Sequence, residues 1–367
     1  MENDRLITIA IHTYEKAVIL KSLLESEGIP VALHNVNLIQ PVVSSGVRVR
    51  IHEKDLPLAL RIIENAEIIT PPGRQSTGEP IATIVVPVDF SPHATEACKM
   101  AFRLADTLGA SVELIHTFID PYFSSGFQLT ETVNYDITEN AMRQQLEEDA
   151  SRRMKNFCDS LREGIKGGLL PAVKFSSEVM EGVPEEVITE YTRTTPRSLI
   201  VMGTRGAGKK EREVVGSVTA EVLDSCRVPV FTVPEHVDFD RLTNIAFYAS
   251  LDQSDLLVLD TLHRLLPDRT LTVTFIALPS KKISNPDKPM QQLLQYGETQ
   301  YPADSFRSRI ITSDELLDES AVPPMENIYD MVVVPNRKKN IFARLFNPGI
   351  AHRLLFHADI PILAIPV

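Results

Sequence analysis

Between Met202 and Ser217 the chain reads MGTRGAGKKEREVVGS, directly after the apolar run Leu199–Met202. Glycines, cationic side chains and a hydroxyl after a buried-looking strand suggest a phosphate cradle, and the spacing decides which kind. A P-loop needs G-x-x-x-x-G-K-[ST]. Gly203, Gly208 and Lys209 comply, but Lys210 stands where the Mg²⁺-holding hydroxyl belongs. A P-loop also opens straight into its helix, whereas KKEREVV separates these glycines from the helix start expected at Ser217. The dinucleotide pattern G-x-G-x-x-G fails because Glu211 follows Gly206 and Gly208 in the third glycine's place. What remains is Gly203, two residues, Gly206, nine residues, Gly216 and then Ser217. Glycines at 203 and 206 let a backbone pass close to phosphates or adopt positive φ. Gly216 and Ser217 fall at a helix start, where unpaired N–H groups and the dipole favour an anion. The hydroxyls of Ser217 and Thr219 add donors. Arg205, Lys209, Lys210 and Arg212 either contact phosphates or form a solvated loop face.

Working outward, strands alternate with helices on both sides of this stretch. IATIVVPV (Ile81–Val88) is nearly all apolar, as a strand buried on both faces should be. Ser91 and Pro92 open the next helix, Ala94, Ala97, Cys98, Ala101, Ala105 and Leu108 form its apolar stripe, and Gly109 ends it. SVELIHTF, a long charged helix over 137–166, VKFSSEVM, PEEVITEYTR, SLIVMG, SVTAEVLDSC and PVFTV complete a parallel, doubly wound α/β unit. Asp89 then stands at the end of the first strand, where open α/β sheets bind ligands. The chain after 240 repeats this plan. Ser198–Glu235 lies on Asp330–Val367 without a gap, and Ile84–Phe90 lies on Ile245–Leu251, which indicates an internal duplication. In the repeat, Pro335, Lys338, Pro348 and Gly349 stand for Gly203, Gly206, Gly216 and Ser217, and Ser250 stands for Asp89. The backbone-approach glycines are gone, so the repeat is expected to be a structural half.

Residues 1–70 read β-α-β-β-α: LITIAI, a helix over 15–27 ended by Gly28, PVALHN, the strictly alternating GVRVRIH, and DLPLALRIIENA. This is a small α+β unit. Thr70–Pro80 is a polar, Pro/Gly-rich linker, and Val233–Thr243 a softer second one. The expected domains are therefore 1–70, 80–236 and 240–367.

The 367 residues carry a net charge of −12, which disfavours a nucleic-acid binder, since phosphate backbones demand clustered positive charge. No apolar stretch approaches bilayer length, and Met1–Val18 lacks signal-peptide features, so a cytoplasmic protein is expected. Cys98, Cys158 and Cys226 read as small buried hydrophobes rather than a disulfide or zinc set. His12, His34 and His52 are scattered, and Glu147, Glu148 and Asp149 read as a solvated helix face, so no metal is expected.

The G-x2-G-x9-G-S spacing resembles the nucleotide-binding motif of the universal stress protein family. VPVDFS (Val86–Ser91), GVPEEVI (Gly182–Ile188) and VPVFTVP (Val228–Pro234) resemble it too, over 80–236, with a degenerate repeat over 240–367. The resemblance implies two tandem domains of the Rossmann-like, adenine nucleotide alpha hydrolase-like class. It implies ATP as ligand, with Mg²⁺, AMP or ADP left open, and a site of Pro87, Val88, Asp89, Thr117, Met202, Gly203, Thr204, Arg205, Gly206, Gly216, Ser217, Val218 and Thr219. It also implies that PVFTV and PILAI pair antiparallel within the chain, with a homodimer and an unidentified protein partner left open. LLESEGIPVALHN and GVRVRIHEKDLPLALRII resemble prokaryotic signal-transducing domains with a ferredoxin-like, PII-like fold. With no catalytic constellation in sight, the expectation is an ATP-binding stress sensor rather than a fast enzyme. A slow ATPase or autokinase, and a scaffold binding no nucleotide, stand as alternatives.

Overall fold

The computed structural model describes residues 6–12, 20–22, 24–35, 47–52, 55, 58–59, 80–119, 135–195, 197–204, 216–235, 237–278, 285–311, 328–336 and 360–367. Among them lie a three-stranded and a ten-stranded sheet. The small sheet is antiparallel, with β1 (Leu6–His12) and β2 (Ala32–Asn35) flanking β3 (Val47–His52). Leu24, Ile29, Val31, Val49, Ile51 and Ala59 are its buried core. The described helical residues, 20–22, 24–26 and 58–59, fall inside the two helices expected there. Most of the linker expected at 70–80 lies outside the described residues.

The second unit follows the sequence reading nearly element by element. β4 (Thr83–Pro87), α1 (Pro92–Leu108), β5 (Ser111–Phe118), α2 (Tyr135–Lys166), β6 (Phe175–Glu181), α3 (Pro184–Thr194), β7 (Ser198–Gly203), α4 (Ser217–Ser225) and β8 (Val230–Val233) alternate as expected. Ser91 caps α1 by accepting from the Ala94 amide at 3.1 Å, and Gly109 closes it at φ 64°, the left-handed conformation a glycine adopts without strain. The third unit repeats the strands: β9 (Asn244–Ala249), α5 (Ser254–Leu265), β10 (Thr272–Ala277), α6 (Asp287–Gln300), β11 (Ser305–Ile310), β12 (Met331–Asn336) and β13 (Ile362–Pro366).

The large sheet runs β11-β10-β9-β12-β13-β8-β7-β4-β5-β6. Read outward from its first strand, each five-stranded half has the order 3-2-1-4-5. All pairs within a half are parallel. The two fifth strands meet antiparallel, Ile362 on Thr232, Leu363 on Phe231 and Ala364 on Val230. A duplicate geometry marks the first turn of each half: Phe90 has φ 64° and Leu251 φ 59°, both non-glycine residues in the left-handed region. On one face of the sheet α1, α2, α5 and α6 bury a core that includes Phe231 and Leu363. On the other, α3 and α4 cover a core that includes Val230, Ile362 and Ala364. Both cores therefore cross the seam.

The second linker is tighter than its polar residues suggest. Phe239 (7% exposed) and Leu242 (2%) enter the core, and Arg269 lies 4.2 Å over the Phe239 ring. Its apolar residues pack into the core while Asp238 caps the short helical turn Phe239–Arg241 by accepting from the Asp240 amide at 3.1 Å. The three cysteines are buried and unpaired, and burial raises the Cys226 thiol to about 11.

Leu363→Ala, at the seam, should cost about 2–5 kcal/mol in urea unfolding, the usual range for a buried leucine. Leu169→Ala, at a side chain 79% exposed, should stay within about 0.5 kcal/mol.

Candidate functional site

In the order β7-β4-β5 the parallel strands bring Gly203, Pro87 and Thr117 to one edge of the sheet. α1 and α4 pack on opposite faces, so the crevice between the ends of β4 and β7 is the topological switch point of this half, where open α/β sheets take ligands.

On the β7 side the chain leaves the strand at Gly203 and returns at Gly216. The roots are tied together: the Gly216 amide donates to the Thr204 carbonyl at 2.8 Å, and the Thr204 amide to the Val233 carbonyl at 3.0 Å. Thr219 Oγ1 donates to the Gly203 carbonyl at 2.9 Å. These bonds bring the start of α4 to the end of β7. Gly216 is the N-cap, with φ −68° and ψ 158° and no side-chain cap bond to the helix amides. Neither Gly203 nor Gly216 has positive φ. Backbone geometry thus requires glycine at neither place. Arg205, Gly206, Lys209, Lys210 and Arg212 lie outside the described residues.

On the β4 side, Val88 continues the strand by donating its amide to the Ile115 carbonyl at 2.8 Å. Asp89 Oδ1 accepts from the Ser91 amide at 3.0 Å, so this carboxylate shapes its own turn. His116, which the sequence reading passed over in favour of its neighbour Thr117, bonds through Nδ1 to the Val88 carbonyl at 2.6 Å. A carbonyl only accepts, so Nδ1 carries the proton. The His116 ring lies 4.4 Å from that of Phe90, whose face also receives the Arg153 guanidinium at 4.5 Å. Its one signal in the sequence was a titratable side chain inside the apolar strand SVELIHTF.

The expected site residues thus divide by what their side chains do. Met202 (4% exposed) and Val88 (4%) are in the core, Met202 beside Val85, Ile115 and Val222. Thr219 is buried and donates to Gly203, while Asp89, Thr117, Ser217 and Val218 are half-buried at the sheet edge. Among the described residues no cluster of His, Cys, Asp and Glu could hold a metal ion. No described helix is long and apolar enough to cross a membrane.

The same edge differs in the other half. Pro335 and Asn336 stand where Gly203 and Thr204 stand, and Asn336 Nδ2 donates to the Leu223 carbonyl of α4 at 2.5 Å. The first turn is filled by a carboxylate: Asp255, 1% exposed, accepts from the amides of Ser250 (3.0 Å), Leu251 (2.7 Å) and Asp252 (3.4 Å). Lys338, Pro348 and Gly349 lie outside the described residues.

Residues 80–234 match the universal stress protein family. Universal stress protein MJ0531 of Methanocaldococcus jannaschii is 28% identical over 151 residues, 41% of this chain and 80% of its own length. Universal stress protein MJ0577 of the same organism is 25% identical over 157 residues, 41% of this chain and 93% of its own length. A universal stress protein from Archaeoglobus fulgidus shares the fold over 77% of this chain and 98% of its own, with a TM-score of 0.56 at 13% identity. That likeness reaches well beyond the matched stress-protein domain.

Two measurements test these assignments. Thr219→Val keeps the shape but strands the Gly203 carbonyl, and should lower unfolding free energy by about 1–3 kcal/mol in urea titrations. Burial, more than any other influence, pushes the His116 pKa below its ordinary value; Arg153 pushes the same way, against the Val88 bond and Asp89. The unfolded chain then binds more protons than the folded one as pH falls, so this stabilisation is present above the unfolded value and fades below it. The stability gap between wild type and His116→Asn should narrow as pH falls from about 7.5 to about 5.5.

Proposed function

We propose that residues 80–236 bind ATP at the switch-point crevice and that the protein acts as a stress-response regulatory module rather than a fast enzyme. The observation that carries this reading is at Gly203 and Gly216. Their backbone conformations admit any residue, so the value of glycine there is the missing Cβ, which lets phosphates approach the chain. An N-terminus without a side-chain cap, tied to the strand end, supplies amides and the positive end of a helix to the same place. Ser217 and the 205–215 stretch complete the phosphate side; Pro87, Val88, Asp89 and Thr117 form the adenine and ribose side. The core position of Met202 and the bond made by Thr219 favour supporting roles for these two. Mg²⁺ would enter with the nucleotide, and AMP or ADP would fit the same frame.

Residues 240–367 are read as a second, degenerate stress-protein domain. The repeated strand order and the seam of fifth strands support this. The carboxylate in its first turn and Pro335 at its crevice favour a structural role. The pairing that dimers would build between chains is then internal, leaving further self-association and an unidentified protein partner for the outer surfaces. Residues 1–70 are read as a PII-like signal-transducing domain, and the setting as cytoplasmic.

Calorimetric titration of the full chain with Mg-ATP should give one site. Gly216→Val should weaken it by roughly a hundredfold or more, at a helix-cap cost in stability of only about 0.5–1 kcal/mol. ADP or phosphoprotein accumulating during the titration would favour a slow ATPase or autokinase. Absence of binding by calorimetry and by filter retention would leave a scaffold.

A further inference from the structure

The two halves hold the same turn in different ways. Phe90 and Leu251 occupy the left-handed region at matching positions, an uncommon and strained conformation for side chains of their size. In the third unit the turn is fixed from the helix: the Asp255 carboxylate takes the amides of Ser250, Leu251 and Asp252. Four residues after Phe90, where Asp255 follows Leu251, the middle unit has Ala94. No helix carboxylate reaches its turn from that position. The strand side is reversed. Pro87 pairs with Ile115, and Tyr248 with Ile276, so His116 and Ala277 occupy equivalent places. The third unit has a methyl group where the middle unit has an imidazole donating to the Val88 carbonyl at 2.6 Å. The ring of that imidazole packs on Phe90, which Arg153 (4.5 Å) and Phe157 (5.7 Å) of α2 contact as well.

We infer that His116 is a positioning residue of the nucleotide site, holding the Pro87–Phe90 turn through the Val88 carbonyl and the Phe90 ring while the Asp89 carboxylate takes the Ser91 amide. This deepens the nucleotide reading and rests on it. His116 thus holds Val88 and Phe90, the residues on either side of Asp89. The charged groups that face this ring are Arg153 of α2 and Asp89 of the turn.

The test uses the full-length chain. In ligand-free protein with ¹⁵N-labelled histidine, long-range ¹H–¹⁵N spectra should report the Nδ1–H tautomer for His116. ATP affinity is then measured for two variants. His116→Asn can still donate to Val88 and should bind within about threefold of wild type; His116→Phe keeps the ring and loses the donor, and should bind about tenfold more weakly. Thermal unfolding of both variants separates lost fold from lost aim, because a purely structural role would lower stability in His116→Phe without moving affinity in the folded population. An Nε2–H tautomer, or wild-type affinity in His116→Phe, overturns the inference while leaving the nucleotide site standing. A wild-type chain that holds the Nδ1–H tautomer yet binds no ATP overturns the nucleotide reading, and with it this use of the turn.

Discussion

The antiparallel contact of β8 with β13 is the constraint on which the large sheet depends. Each half, taken alone, would end in an apolar fifth strand with a row of unpaired N–H and C=O groups, a template for aggregation. Val230, Phe231 and Thr232 on one side, and Ile362, Leu363 and Ala364 on the other, are all buried at the seam. Their alternation sends Phe231 and Leu363 to one face and Val230, Ile362 and Ala364 to the other, so the seam joins both hydrophobic layers as well as the hydrogen-bonded ladder. The outer edges, β6 and β11, are by contrast mostly exposed and carry Glu178 and Glu181, and Arg307 and Arg309, respectively. Charge is spent where pairing must be avoided and withheld where it is needed.

α4 is where the three units meet. Its start is tied to β7 by the Gly216–Thr204 and Thr219–Gly203 bonds. The Leu223 carbonyl near its end is taken by Asn336 of the third unit. The backbone of β1, from the first unit, runs close beside it. A short helix gains little stability from its own hydrogen bonds, so most of its order comes from such contacts. Anything that adds to the order of its first turn therefore acts on a helix that the other two units already touch.

Much of this was legible in the sequence, for reasons that can be named. Buried parallel strands are apolar on both faces, so IATIVVPV, SLIVMG and PVFTV declared themselves. Ser91-Pro92 and Gly109 punctuated α1 by steric rules that act locally. The ungapped repeat foretold the matching strand order. The site was less legible, because a residue type does not say what its hydrogen bonds are used for. Thr219 and Met202 flank the crevice in sequence, yet one bonds Gly203 and the other fills the core. His116 was hidden by its setting within an apolar strand; its partner, the Val88 carbonyl, is brought to it only by the pairing of β4 with β5. Phe239 and Leu242 were hidden by their polar neighbours.

The comparison of the two halves turns on one distinction. Strand pairing depends on shape and apolar character, which the repeat has kept: β9, β10, β12 and β13 are as buried as their counterparts. Ligand binding depends on groups being left available, which selection for stability alone does not favour, since every buried amide is more stable when bonded. Asp255 does this for the third unit, using up the amides of its first turn beneath α5. Asn336 does likewise at the end of β12, spending its side-chain amide on a carbonyl across the interface. In the middle unit the same turn is held from the strand side as well, through the Val88 carbonyl that His116 takes, with the Asp89 carboxylate on the Ser91 amide.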